Sequence, residues 1–244
     1  MDLEQVVQQV HDLDSLLALL RDELRWPLPP DATLDDVAFD WTAGELRVGD
    51  VHAGRLKDGV VRQLRPMVEG QPWGVFLVEF ADAQVYRTAL RQVLRGLIPS
   101  RRRDSALPAW GHENLLFLCA SHHGAVGAES LPRPSGKGFP SYDQFTLAHF
   151  RGEKAAKARL ATFSWEQGDK HLRTLCEHNL PALAWPEDDG EDAERWLGKW
   201  RAAWDVEKVT KEFFREYRAV FEQVEGMVGG VPEGDARRLF TQTL

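Results

Sequence analysis

The stretch GVFLVEFADAQVYRTALRQVLRGLIPSRRR, Gly74–Arg103, decides how this chain folds. It opens on a run apolar enough to be a central strand, with one acid, Glu79, at its end. The spacing then turns helical from about Asp82 to Leu97. At about 100° per residue, Tyr86, Leu90, Val93 and Leu97 share one side, while Arg87, Arg91 and Arg95 lie along its flank. Three more cations, Arg101, Arg102 and Arg103, follow directly. Strand, acid and arginine-edged helix therefore come as one unit.

Working outward, residues 3 to 25 place Leu3, Val6, Val7, Val10, Leu13, Leu16, Leu17, Leu20 and Leu24 at three- and four-residue intervals, which predicts an amphipathic helix. The proline-rich RWPLPPDATLDD ends it. VAFDW and ELRVGDV read as two strands, with Thr42, Ala43 and Gly44 as a hairpin turn between them. Val60 to Val68 has no clear pattern. Beyond the arginine helix, ENLLFLCAS is a buried strand, and HHGAVGAESLPRPSGKGFPS has the composition of a long connection. FTLAHFR and ARLATFSW then read as a strand pair. After Gln167 the pattern is mainly helical, closing with a helix from about Val206 to Val228 that aligns Val209, Phe213, Tyr217, Val220 and Val224. The expected fold is α+β: a mixed β-sheet domain over residues 1–166, then a helical part over residues 167–244.

With 43% hydrophobic and 28% charged residues, and no apolar run near the roughly 20 residues a bilayer span needs, the composition is that of a soluble protein. The N-terminus is acidic and helically patterned rather than signal-like, and two cysteines are too few for a disulfide framework. Both point to the cytoplasm. A formal net charge of −8 argues against indiscriminate nucleic-acid binding, so any polyanion needs a local basic patch. Nine tryptophans in motifs such as RWLGKW suggest anchors between packed elements.

Helix, two strands, strong strand, helix, strand resembles the order of the PD-(D/E)xK nuclease core, in which acids on adjacent strands hold a divalent metal. That resemblance nominates Glu79 and, at the end of ELRVGD, Asp50 as candidate acids, with Mg²⁺ implied only on a nuclease reading. The lysine expected two residues after the glutamate is Ala81, and the nearest cation along the chain is Arg87. Arginine is a poor replacement, because its charge is permanent and delocalised. Cys119, His122, His123, Cys176 and His178 carry soft donors, but their spacing matches no compact zinc site, and no metal is assigned. The basic string Arg87, Arg91, Arg95, Arg101, Arg102 and Arg103 has the chemistry to contact DNA phosphates.

Taken together, PWGVFLVEF, LRQVLRGL, LPAWGHENLLFLC, FTLAHFRG, LATFSWEQGDKHLRTLCEHNLPALAWP and VTKEFFREYRAVFEQVE resemble the N-terminal region of large bacterial restriction-modification DNA adenine methyltransferases, over about Phe39 to Leu244. No NPPY-like tetrapeptide and no FxGxG-like strand occurs, so methyl transfer is not expected in these residues. The resemblance implies an accessory N-terminal domain in phage defence that assists DNA binding or domain positioning. Its implied partners are DNA and the methyltransferase and target-recognition domains, with S-adenosylmethionine used by the parent enzyme and no cofactor here. Two alternatives stay open: a Mg-dependent PD-(D/E)xK-type endonuclease domain, and a protein-interaction module without DNA contact.

Overall fold

The computed structural model describes residues 2–68, 71, 73–81, 85–97, 112–121, 142, 144–151, 158–166, 172–186, 193–204, 214–215 and 217–224. The chain divides into two compact units, Met1–Trp204 and Asp205–Leu244. The first unit is an α+β structure built on a six-stranded mixed sheet. Its strands are β1 (Ala38–Thr42), β2 (Val60–Leu64), β3 (Gly74–Glu79), β4 (Leu115–Ser121), β5 (Gln144–Arg151) and β6 (Arg159–Glu166), lying in the sheet in chain order. Every neighbouring pair is antiparallel except β3 with β4, which run parallel in register from Gly74 opposite Leu115 to Glu79 opposite Ala120. A parallel pair needs a crossover, and the connection includes a helix, here α1 of the arginine unit, Arg87–Leu97.

The apolar runs become the central strands because both of their faces are covered. All seven residues of β4 are buried, as are the first five of β3. Alternation then sorts the side chains. Val75 and Leu77 of β3 join a core that contains the N-terminal helices and residues of 172–185 and 196–204, whereas Phe76, Val78 and Phe80 join a second core under α1. Glu79, two residues beyond Leu77, thus points to the opposite side of the sheet from the arginine helix.

The first core is dominated by indoles. Trp73 meets Trp196 at 4.2 Å between ring centroids, Trp196 meets Trp200 at 4.8 Å, and Trp26 stacks on Trp200 at 6.3 Å. Two of the N–H groups are satisfied: Trp26 Nε1 donates to Leu183 O at 2.8 Å and Trp196 Nε1 to Ala184 O at 2.9 Å. Through these contacts the helical segment up to Trp204 shares a core with the sheet, so the expected boundary at 166/167 falls inside the first compact unit.

Three local expectations change. The N-terminal pattern is split into Leu3–Gln9 and Leu13–Ala18, the latter continued by a π-helical turn over Leu19–Glu23, because Asp12 caps the second helix: its carboxylate accepts from Ser15 N at 2.7 Å while Ser15 Oγ accepts from Asp12 N. The arginine helix begins at Arg87, with Val85 and Tyr86 non-helical before it; Asp82, where the spacing placed its start, lies outside the described residues. ELRVGDV is not a strand. Thr42 and Glu45 form a T-x-x-E box, in which Glu45 accepts from Thr42 N and from Thr42 Oγ1, each at 2.8 Å, and this curls the chain into turns. Leu46 and Val48 are still buried, but through a turn in which Arg47 takes a left-handed φ of 54°. Asp50 then starts a short helix, Asp50–Ala53, and the second strand is instead VVRQL, in the region without a clear pattern.

A buried histidine marks where the segment ending at Trp204 joins the sheet. His149 on β5 stacks on Trp204 at 5.7 Å, its Nε2 lies 2.7 Å from Glu113 O, and its Nδ1 is buried with no partner among the described residues. With Nε2–H donating to the carbonyl, the ring is neutral. Burial, ahead of the nearby Arg151 and Arg201 charges, lowers its pKa from 6.5 to about 4. The unfolded chain therefore binds the proton first, and stability falls as pH drops from 6.5 towards 4. Between about pH 7.5 and pH 5 this single group should remove about 2 kcal/mol. Urea titrations of the protein and of His149→Gln at both pH values check this, since the variant should lack that increment.

In the second unit, taken by itself, residues 217–224 are helical, and Phe214, Tyr217, Val220 and Val224 are exposed. Val209 and Phe213 lie outside the described residues. No helix among the described residues is long and apolar enough to cross a membrane.

Candidate functional site

Glu79 lies in a polar cluster fixed by sheet register. Asp40 on β1 stands directly opposite Arg62 on β2, and Arg62 opposite Leu77 on β3, so Asp40, Arg62, Leu77 and Glu79 occupy one face. The Arg62 guanidinium spans three strands, with Nε 3.3 Å from Asp40 Oδ1 and Nη1 3.2 Å from Glu79 Oε1.

The second cation comes from a turn that sequence reasoning passed over. Lys57, Asp58 and Gly59 form a 3₁₀ turn in which Asp58 and Gly59 both take left-handed φ, 55° and 63°. The turn is stitched to the end of β3: Leu56 bridges Phe80, and Ala81 N donates to Arg55 O at 3.0 Å. Lys57 Nζ consequently donates to Glu79 Oε2 at 2.9 Å and to Tyr142 Oη at 3.0 Å. Tyr142 Oη donates in turn to Glu79 Oε2, and Tyr142 is held from behind by its own N–H on His11 O at 2.6 Å. Burial, with the Glu79 hydrogen bond as the second cause, raises the Tyr142 phenol far above its ordinary pKa, so it acts as a neutral donor.

The cluster opens into a cleft of about 120 Å³ lined by Asp40, Lys57, Asp58, Val60, Arg62, Leu77 and Glu79. Asp50 is not among these residues; it is exposed at the start of its helix. The cation facing Glu79 is likewise Lys57, with Arg62, and not Arg87, which lies on the helix across the sheet. Both Glu79 oxygens already accept from cations or from Tyr142, so a divalent ion would have to displace them. The donor set as it stands does not fit Mg²⁺. Among the described residues no group of three or more His, Cys, Asp or Glu side chains is placed to hold a metal. Cys119 and Cys176 belong to the two different cores, on opposite faces of the sheet, and burial raises both thiols, Cys176 to about 11. His178 is exposed, and His122 and His123 lie outside the described residues.

The arginines of α1 are not equivalent. Arg87 and Arg95 are exposed and have no ion pair among the described residues. Arg91 is half-buried, its guanidinium 5.8 Å from the Phe150 ring centroid. The helix carries no acid of its own, and its opposite side packs through Leu90, Val93, Leu94 and Leu97. Arg101, Arg102 and Arg103 lie outside the described residues. The molecule therefore has two separate features: a closed ion-pair cluster around Glu79, and an open cationic flank across the sheet. The chain matches no protein-family model, no curated protein and no solved structure.

Proposed function

We propose that this chain is a cytoplasmic accessory domain of a restriction-modification DNA adenine methyltransferase, one that contacts the DNA backbone through the α1 flank and does not itself cut DNA. The sequence resemblance over Phe39 to Leu244 supports the setting. The observation that carries the DNA contact is the exposure of Arg87 and Arg95 without ion pairs among the described residues. A protein-interaction module without DNA contact calls for those arginines to be paired internally. The PD-(D/E)xK reading of the sheet order fits a nuclease-derived scaffold, and the occupation of Glu79 by Lys57, Arg62 and Tyr142 favours a silent one.

Each arginine that neutralises a phosphate releases counterions and adds about 0.9 to the slope of log affinity against log salt. Arg87→Ala with Arg95→Ala should therefore lower that slope by about 2 and weaken duplex binding at low salt. Arg91→Ala should cost less, because Arg91 is already committed to Phe150. Gel-shift titrations at two salt concentrations measure this, and wild-type binding by the double variant would end the reading.

A further inference from the structure

We infer that Arg47, outside the arginine helix, is a further phosphate-contacting residue of the same surface, so that the DNA-facing row runs from α1 onto the 42–49 turn. This rests on the DNA-contact reading above. Three observations place Arg47 there. Gly96 lies so close to the turn that a Cβ on it would come within 2.3 Å of Leu46 O and 3.0 Å of Leu46 Cα. Arg47 follows Leu46 and Arg95 precedes Gly96, so their Cα atoms are within about 12 Å of each other, given 3.8 Å between consecutive Cα atoms. Gln92 of the helix also accepts from Gly49 N at 2.8 Å, fastening the far side of the turn to α1.

The second observation concerns orientation. Leu46 and Val48 are buried and Arg47 between them is exposed, held outward by a left-handed backbone secured by Arg47 N on Gly44 O and Val48 N on Ala43 O. The third concerns charge. Arg47 has no ion pair among the described residues, while the nearby Glu45 carboxylate is engaged by Thr42 N and Oγ1. Glu45, which keeps its charge, and Asp50, exposed three residues on, are the counterweights on this surface. Their carboxylates oppose a polyanion. This gives Asp50 an electrostatic part in binding that does not depend on metal chemistry.

The test is fluorescence-anisotropy titration of the full chain with a labelled DNA duplex at two salt concentrations. Arg47→Gly removes the charge and suits a φ of 54°, so the fold should hold, which thermal melting verifies. Expected are a salt slope reduced by about 1 for Arg47→Gly, near-complete retention for Arg47→Lys, and tighter binding for Asp50→Asn. If Arg47→Gly binds like wild type while the Arg87/Arg95 variant is weakened, this inference fails and the broader reading survives. If neither variant is weakened, both fail. Tighter binding of an RNA duplex of the same sequence would overturn the assignment of DNA as the partner.

Discussion

Glu79→Ala should destabilise the protein by about 3 kcal/mol, because it leaves Lys57 charged without its counterion and Arg62 with Asp40 alone. The side chain is only 13% exposed, and it is the shared acceptor of Lys57, Arg62 and Tyr142. Its loss leaves two half-buried cations facing each other and a buried phenol without its acceptor. Glu79→Gln keeps an acceptor oxygen for Tyr142 and should cost about half as much. For a chain of this size the alanine variant should melt about 10 °C lower, which differential scanning calorimetry reads directly. The same proteins separate a structural from a hydrolytic role. Wild type and Glu79→Gln should both leave supercoiled plasmid intact with Mg²⁺. Nicking by wild type that disappears in Glu79→Gln would establish a nuclease.

Gly96→Ala is the second large effect, and its sign is informative. In an ordinary helix interior this change stabilises by about 1 kcal/mol. Here the new methyl carbon would lie 2.3 Å from the backbone oxygen of Leu46, and backbone yields less readily than the end of a side chain. The turn must move away from α1, at a cost of about 3 kcal/mol from overpacking. Chemical denaturation compared with wild type gives the value. Unchanged or increased stability would mean that the turn is not seated on the helix, and the placement of Arg47 would go with it.

Much of the sheet was legible in the sequence because burial on both faces leaves a local mark. GVFLVE and LLFLCAS are apolar without alternation, and the strand pair FTLAHFR and ARLATFSW was bounded by charged and turn-forming residues, so β3 to β6 fell close to their observed limits. The helix face also followed from spacing, since Leu90, Val93 and Leu97 are fully buried or nearly so. ELRVGDV was misread because alternating apolar residues fit a strand and also fit a turn that buries Leu46 and Val48 around an exposed Arg47. The deciding signal, Thr42 with Glu45, is a capping box and was present in the sequence.

The candidate site was legible only at Glu79. Its partners arrive from the turn before β2, from β2 itself and from Tyr142, positions brought together by strand order and register. Periodicity reports which way a side chain faces and carries no record of what crosses the sheet to meet it. The search for a cation was therefore confined to the residues after Glu79, where Arg87 stood nearest, although that helix lies on the other face. Asp50 was proposed as a partner because it ended a supposed strand, and it lost that place with the strand.

The lone parallel seam between β3 and β4 has a consequence for how the molecule assembles. Strands β1 to β3 and strands β4 to β6 are each antiparallel series in chain order, whereas the seam must wait until the long intervening connection has closed. Loop-closure entropy is paid there before any pairing is gained. Pairing Val75–Val78 with Leu116–Cys119 therefore carries the largest closure cost between neighbouring strands of the sheet, and substitutions along this seam should slow folding more than those in the outer antiparallel pairs.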